Sequence, residues 1–369
     1  FNKSINNIQS LGIFKKVETK VQEGSQDRFK IIDLDVEERP TGEISVSAGF
    51  GTQGGTIGAG IKENNFLGKG INLNTNLEIT EDSVKGQFVY AKPNFNYSDN
   101  TLFTSLKSSS SDFLTDSGYK TSELGFSVGT RFEQFQNIYL SPELDFLIED
   151  LETSNKASNT IKKQEGSYTD LYFNYSINQD LRDKKFRTED GFVTTFSQEL
   201  PIVSDNSEIA NSFDITKYKK FSTRSDAVGK VSFFGKTITG LSDDVRISKR
   251  LYIPSYRLRG FEKGKVGPVD NNDYIGGNHL TSVNMSATLP NILEGIDNLD
   301  VGVFLDAANI WGVDYDSSLD DKSAIRSSAG VALNLMTPIG PLSFSFANAI
   351  TKASSDKTET FRFNLGTQF

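Results

Sequence analysis

Cysteine is absent from these 369 residues, and histidine and tryptophan occur once each, as His279 and Trp311. Without cysteine there is no disulfide framework, thiolate nucleophile or sulfur metal site. A single imidazole leaves little for acid–base chemistry, so no catalytic residue, metal or cofactor is expected and the chain does not read as an enzyme. No apolar run approaches the roughly 18 residues of a spanning helix, so any membrane crossing must use strands. Positive charge is in the minority, 39 Lys and Arg against 48 Asp and Glu. The resulting net charge of −9 and pI near 4.9 lack the basic stripe that a nucleic-acid partner requires.

What is present is alternation. The chain ends on Phe361-Arg362-Phe363-Asn364-Leu365-Gly366-Thr367-Gln368-Phe369, with apolar side chains on one parity (Phe361, Phe363, Leu365, Phe369) and polar ones on the other. That is the period of a strand with one greasy face. In a bilayer such a face meets lipid, and the backbone is satisfied only if strands close into a ring. Mean hydropathy of −0.38 suits a barrel, because only every second strand residue touches lipid.

From Gly42 onward, alternating segments separated by Gly, Asn, Asp and Ser clusters number sixteen, from near 43–52 to near 358–369. The count is even, as a bacterial single-chain barrel requires. One strand sets Leu171, Phe173, Tyr175 and Ile177 against Asp170, Asn174, Ser176 and Asn178. The tenth, near 209–221, fits worst: Lys217 and Lys219 share parity with Phe213 and Ile215, which places it low in the membrane or slips its register. In the thirteenth, Val301, Val303, Leu305 and Ala307 face lipid, so Gly302, Phe304 and Asp306 face the lumen. The predicted fold is therefore all-β, a 16-stranded antiparallel transmembrane β-barrel over 39–369, with a long extracellular loop at about 238–277. Connections of that length are usually functional or disordered.

Residues 1–38 differ. Ser4 is placed to cap a short helix carrying Ile5, Ile8 and Leu11, and strand-like runs at 14–21 and 28–37 follow. A helix and one hairpin do not make a core alone, so this reads as the end of an α+β domain, with further sequence and an export signal expected upstream.

Several weaker signals are set aside. Gly49-Phe50-Gly51-Thr52-Gln53-Gly54 matches a dinucleotide fingerprint, but alternating strand follows where a helix should open. Glu143 and Asp145 read as solvated luminal charge rather than paired catalytic carboxylates. His279 shares parity with Val283, Met285 and Leu289 and points outward. The run Asp314, Asp316, Asp320, Asp321 suggests loose cation binding in an outer loop, without the spacing of a dedicated calcium site.

The long loop carries Leu258-Arg259-Gly260-Phe261, then Gly267-Pro268 and Ile275-Gly276-Gly277-Asn278. With Asn64-Asn65-Phe66-Leu67-Gly68-Lys69-Gly70, Phe304-Leu305-Asp306-Ala307 and Met336-Thr337-Pro338-Ile339-Gly340-Pro341-Leu342 in one order, the chain resembles the outer-membrane insertase superfamily with periplasmic POTRA domains. The resemblance implies that 1–38 is the C-terminal part of the last POTRA domain. It also implies that the Leu258–Phe261 motif tips a loop folded back into the lumen. Family members commonly set a glutamate on the twelfth strand against the loop arginine; the aligned position here is Ser286, which leaves Asp306 as partner of Arg259. Residues alone leave that pair open against a solvated arginine beside an ordinary luminal aspartate.

Function implied by the resemblance is insertion of β-barrel proteins into the outer membrane of a Gram-negative bacterium, by strand addition at a lateral gate between first and last strands. The gate residues are Ser47, Gly49, Gly51, Phe361, Phe363, Asn364, Gly366 and Phe369, with Ser47 set against Asn364 or a neighbouring register. Implied partners are nascent outer-membrane β-barrel proteins, accessory assembly lipoproteins, periplasmic chaperones and membrane lipids. A polypeptide secretion pore of the same superfamily and a passive porin-like channel are the alternatives.

Overall fold

The computed structural model describes residues 5, 8, 12–26, 29–185, 187–222, 225–290, 299–337 and 340–366. Strands β1 (Phe14–Glu23) and β2 (Lys30–Glu38) pair as an isolated antiparallel hairpin. Ile5 and Ile8 are helical, while Ser4 and Leu11 of the expected helix lie outside the described residues.

Sixteen strands then close a barrel among the described residues. They begin with β3 (Gly42–Gly51), β4 (Gly54–Phe66), β5 (Ile71–Thr80), β6 (Ser83–Lys92), β7 (Thr101–Phe113) and β8 (Tyr119–Phe135). Next come β9 (Ile138–Thr153), β10 (Gly166–Asp180), β11 (Asp190–Ser204), β12 (Glu208–Ser222) and β13 (Ser225–Gly240). A ribbon, β14 (Val269–Asp270) with β15 (Asp273–Tyr274), lies within the long loop. The wall finishes with β16 (His279–Pro290), β17 (Leu299–Trp311), β18 (Arg326–Thr337), β19 (Gly340–Thr351) and β20 (Phe361–Leu365). Every neighbouring pair in the wall is antiparallel, and β20 returns to β3.

Parity sets the two faces as the sequence predicts. In β17, Val303 and Leu305 are exposed on the outside while Gly302, Phe304, Asp306 and Ala308 are buried inside. In β10, Phe173 and Ile177 look outward and Asp170 and Tyr172 inward. An outward ring of apolar side chains is stable only against lipid, which is why the strands close into a ring. The tenth barrel strand, β12, pairs with β11 without a slip from Asp190↔Lys219 to Glu199↔Ala210. Against β13 the register holds from Glu208↔Gly240 to Lys220↔Val228 and shifts between Lys220 and Ser222, beyond Lys217 and Lys219, which both stay exposed on the outer face. A lysine on the lipid face costs about 2–4 kcal/mol at mid-depth and about 0–1 near an interface, so the cost to Lys217 and Lys219 falls as their ammonium groups reach toward the periplasmic end of the strand.

Expectations for two residues and for one strand boundary are corrected. Asp145 is buried rather than solvated, because Lys107 Nζ from β7 lies 2.7 Å from its Oδ2. Asp314 is committed to the protein: it takes the Val245 backbone N–H at 2.9 Å and pairs with Arg250. The last strand begins at Phe361 rather than near 358, since 357–359 pairs with the tip of the long loop. His279 sits between neighbouring strands, its Nδ1 2.7 Å from Thr237 Oγ1 and its ring 5.4 Å from that of Trp311.

Candidate functional site

Residues 241–277 turn into the barrel instead of standing outside it. Their apolar side chains supply the reason. Val245, Leu258 and Phe261 bury against Ile238, Leu280, Ala308 and Ile310 of the inner wall. Ile247 and Ile275 pack nearer the mouth with Tyr119, Leu151 and Ile161, the last from a short helix, α1 (Asn159–Lys162), capped by Ser158. The neck is closed by reciprocal bonds between Leu251 and Gly277, at 2.8 and 3.0 Å. The tip pairs with 357–359: the Glu262 N–H donates to the Lys357 carbonyl and the Glu359 N–H to the Gly260 carbonyl, each at 3.1 Å. Gly260 has φ +88°, and a Cβ there would lie 3.1 Å from the Ala347 methyl. Glycine is required at that position both by the left-handed backbone and by the closeness of the wall.

Arg259 is held by Asp306 in a two-pronged pair, Nε to Oδ2 at 2.7 Å and Nη2 to Oδ1 at 2.8 Å. The Arg259 backbone N–H adds a bond to Oδ2 at 3.2 Å, and the guanidinium lies 3.4 Å from the centre of the Phe304 ring. Asp306 is fully buried. Its remaining donor is Asn284 of β16, whose Nδ2 reaches Oδ1 at 2.8 Å and the Arg257 carbonyl at 2.7 Å. Register decides this, since Asn284 lies directly opposite Asp306 while Ser286 lies opposite Phe304. Asn284 was not singled out from the sequence, although its luminal parity was readable there.

Other arginines fasten the same loop. Arg246 has no exposed side-chain surface and contacts three carboxylates, Glu149 at 3.0 Å, Asp170, and Glu208 at 3.5 Å, with its guanidinium 4.4 Å from the Tyr168 ring. Burial opposes its charge, but Glu208, Glu149 and Asp170 outweigh that and raise its pKa above the usual guanidinium value. Arg257 pairs with Asp214 and stacks over Phe234. Arg326 pairs with Asp356 at 2.9 Å, and Asp356 in turn accepts the Gly267 N–H at 3.2 Å. Arg362 of β20 donates to the Ser255 and Phe261 carbonyls at 3.0 and 2.8 Å, so the last strand itself grips the loop. None of these four arginines carries a local motif, and sequence reasoning missed them.

The closing seam is short. Among the described residues β20 is in register with β3 at Asn364↔Gly51 and Leu365↔Phe50, with one further bond from the Thr52 N–H to the Phe363 carbonyl at 3.1 Å. By contrast β3 and β4 are in register from Gly42↔Glu63 to Gly51↔Gly54. Phe363 meets Phe50 edge-on at 6.0 Å between ring centres. Phe361 lies further along, packed on Phe346 of β19. Ser47 does not oppose Asn364: the partner of Asn364 is Gly51, and Ser47 lies four residues nearer the start of β3. The stagger of strands around a closed barrel sets that register, and no local pattern encodes it. Phe369 lies outside the described residues.

Gly366 ends β20 with φ +95°, and a Cβ there would come 2.1 Å from the Ala48 carbonyl oxygen and 3.0 Å from the Gly49 Cα. Gly366→Val should therefore push β20 off β3, at a cost on the order of 1–3 kcal/mol. The folded, compact band on unheated gels should convert to the unfolded band at a lower temperature than wild type. An unchanged conversion temperature would show that the seam tolerates a side chain there.

A closed barrel with a lipid-facing exterior, a long loop keyed by arginines to its inner wall and a short closing seam defines a loop-plugged outer-membrane barrel. The chain belongs to the Omp85 superfamily, whose domain matches residues 65–369, and it is an outer-membrane protein. It is 24% identical over 382 residues to outer membrane protein assembly factor BamA of Neorickettsia risticii, covering 98% of this chain and 50% of that one. Against BamA of Neisseria meningitidis serogroup B it is 23% identical over 420 residues, covering 98% and 51%. The chain thus spans about half the length of the curated relatives it matches. In fold it is similar to the crystal structure of BamA from Haemophilus ducreyi lacking POTRA domains 1–3, with TM-score 0.85, 23% identity and coverage of 100% and 78%. CdiB from Acinetobacter baumannii shares the fold more loosely, with TM-score 0.59, 13% identity and coverage of 100% and 68%.

Proposed function

We propose that this chain is the membrane portion of an insertase that assembles β-barrel proteins into the outer membrane, by strand addition at the seam between β3 and β20. The observation that carries the reading is the seam itself, in register at two positions among the described residues and flanked by Gly49, Gly51 and Gly366. Glycine contributes no side-chain packing to a strand. An open seam exposes backbone donors and acceptors to lipid, at several kcal/mol for each unsatisfied group. A client strand that pairs with the free edge removes that cost, and successive client hairpins follow. No covalent chemistry is needed.

Clients are nascent outer-membrane β-barrel proteins. Accessory lipoproteins and periplasmic chaperones belong to the same proposal, as does the assignment of residues 1–38, with the β1–β2 hairpin, to the end of a POTRA domain. Phe50→Cys with Leu365→Cys places a disulfide across the registered seam. Oxidation should abolish client insertion by the full-length protein in proteoliposomes, and reduction should restore it. Full insertion with the seam closed would end the lateral-gate reading. Export of one cognate polypeptide by that same oxidised protein would identify a secretion pore instead.

A further inference from the structure

We propose that a groove on the outer wall between β12 and β17 binds an anionic phospholipid of the periplasmic leaflet, with Lys217 and Lys219 holding its phosphate. The groove has a volume of about 510 Å3 and is lined by both lysines. Strand register builds it in two rows. Lys217 aligns with Val231, Met285 and Leu305, and Lys219, nearer the periplasm, aligns with Gly229, Ala287 and Val303. The floor of the lower row is Ala287, which carries only a methyl, while at Gly229 the Phe221 ring takes the space a side chain would fill. Phe221 closes one side, its ring so near Gly229 that a Cβ there would lie 2.7 Å away. Met285 and Leu305, both exposed to lipid, form the other side. A furrow with a small-residue floor and long apolar walls suits an acyl chain.

The lysines select the headgroup. Lys219 Nζ lies 2.6 Å from Asp190, whereas Lys217 has no carboxylate partner among the described residues. Lys217 is five residues from the end of β12 at Ser222, about 16 Å along a strand and about 12 Å in depth at a barrel tilt of about 40°. A lysine so placed turns its ammonium down to the headgroup level. Two ammonium groups two residues apart on one face, about 6.6 Å along the strand, bracket a single phosphate. Asp190 cancels part of one charge, so the site keeps a net positive charge and favours a headgroup with no amine of its own.

Native mass spectrometry of the intact protein from nanodiscs of equimolar phosphatidylglycerol and phosphatidylethanolamine tests this. Wild type should retain one phosphatidylglycerol in preference to phosphatidylethanolamine. Lys217→Gln with Lys219→Gln should lower that preference by about twenty-five-fold, about fivefold for each lysine near an anionic headgroup. Lys217→Arg with Lys219→Arg should keep it. Ala287→Phe fills the floor with both lysines intact and should also lose the lipid; it decides the matter should the glutamine variant not fold. Equal retention of the two lipids by wild type overturns the proposal. So does undiminished phosphatidylglycerol retention in either the glutamine or the Ala287→Phe variant, or its loss in the arginine variant.

Discussion

Asp306→Lys should detach the tip of the long loop from the inner wall while leaving the barrel closed. Asp306 accepts bonds from Arg259 Nε, Arg259 Nη2, the Arg259 backbone N–H and Asn284 Nδ2. Lysine removes the acceptor of all four and sets a second cation against the guanidinium. Breaking one partner of a buried ion pair costs about 3–5 kcal/mol, and like-charge repulsion adds to that. The strand itself is unaffected, because its backbone pairing to Asn284 and Ser328 does not involve the side chain. Added protease should then cut within 254–266 in the folded variant and spare wild type, and client insertion should fall with docking. Asp306→Asn, which keeps the shape, should cost less. Wild-type protection in Asp306→Lys would mean that apolar burial of Leu258 and Phe261 alone holds the tip.

A second large effect is expected at Arg246. Its guanidinium answers Glu149, Asp170 and Glu208, of which Glu149 and Asp170 have no exposed surface. Even with Arg246 present, Glu149 Oε1 and Glu208 Oε2 lack a hydrogen-bond partner, as does Arg246 Nε, so the cluster is held by charge more than by a complete hydrogen-bond network. Arg246→Met keeps most of the volume and leaves three carboxylates facing each other, a loss of about 3–5 kcal/mol or more in loop docking. Adding Glu149→Gln and Asp170→Asn should recover a large part of it, since the strain is charge rather than shape. Protease protection near Val245 and thermal unfolding of the three proteins read this directly. No recovery in the triple variant would show that Arg246 acts by packing on Tyr168 rather than by its charge.

The two clusters differ in how visible they are along the chain. Arg259 stands in a recognisable tetrapeptide, and Asp306 has luminal parity on a strand whose outer face is plainly apolar, so the pair can be named before any coordinates. Asn284 has the same parity but shares its face with other small polar residues, and only register picks it over Ser286. Arg246 is separated from Glu149 by 97 positions, and nothing near either residue marks the other. The seam behaves similarly: glycines near both chain ends are legible, but whether Asn364 meets Ser47 or Gly51 is a property of how the ring closes.

The amino-acid pattern alone determined the number of strands, their order and which side chain of each meets lipid. Those follow from a two-residue period and from turn residues a few positions apart, interactions that every stretch carries within itself. Tertiary structure decided the stagger at closure and the choice of carboxylate for each loop arginine. These depend on distances summed around the whole wall, where a one-residue change of register exchanges the inner face for the outer and no short segment holds the information.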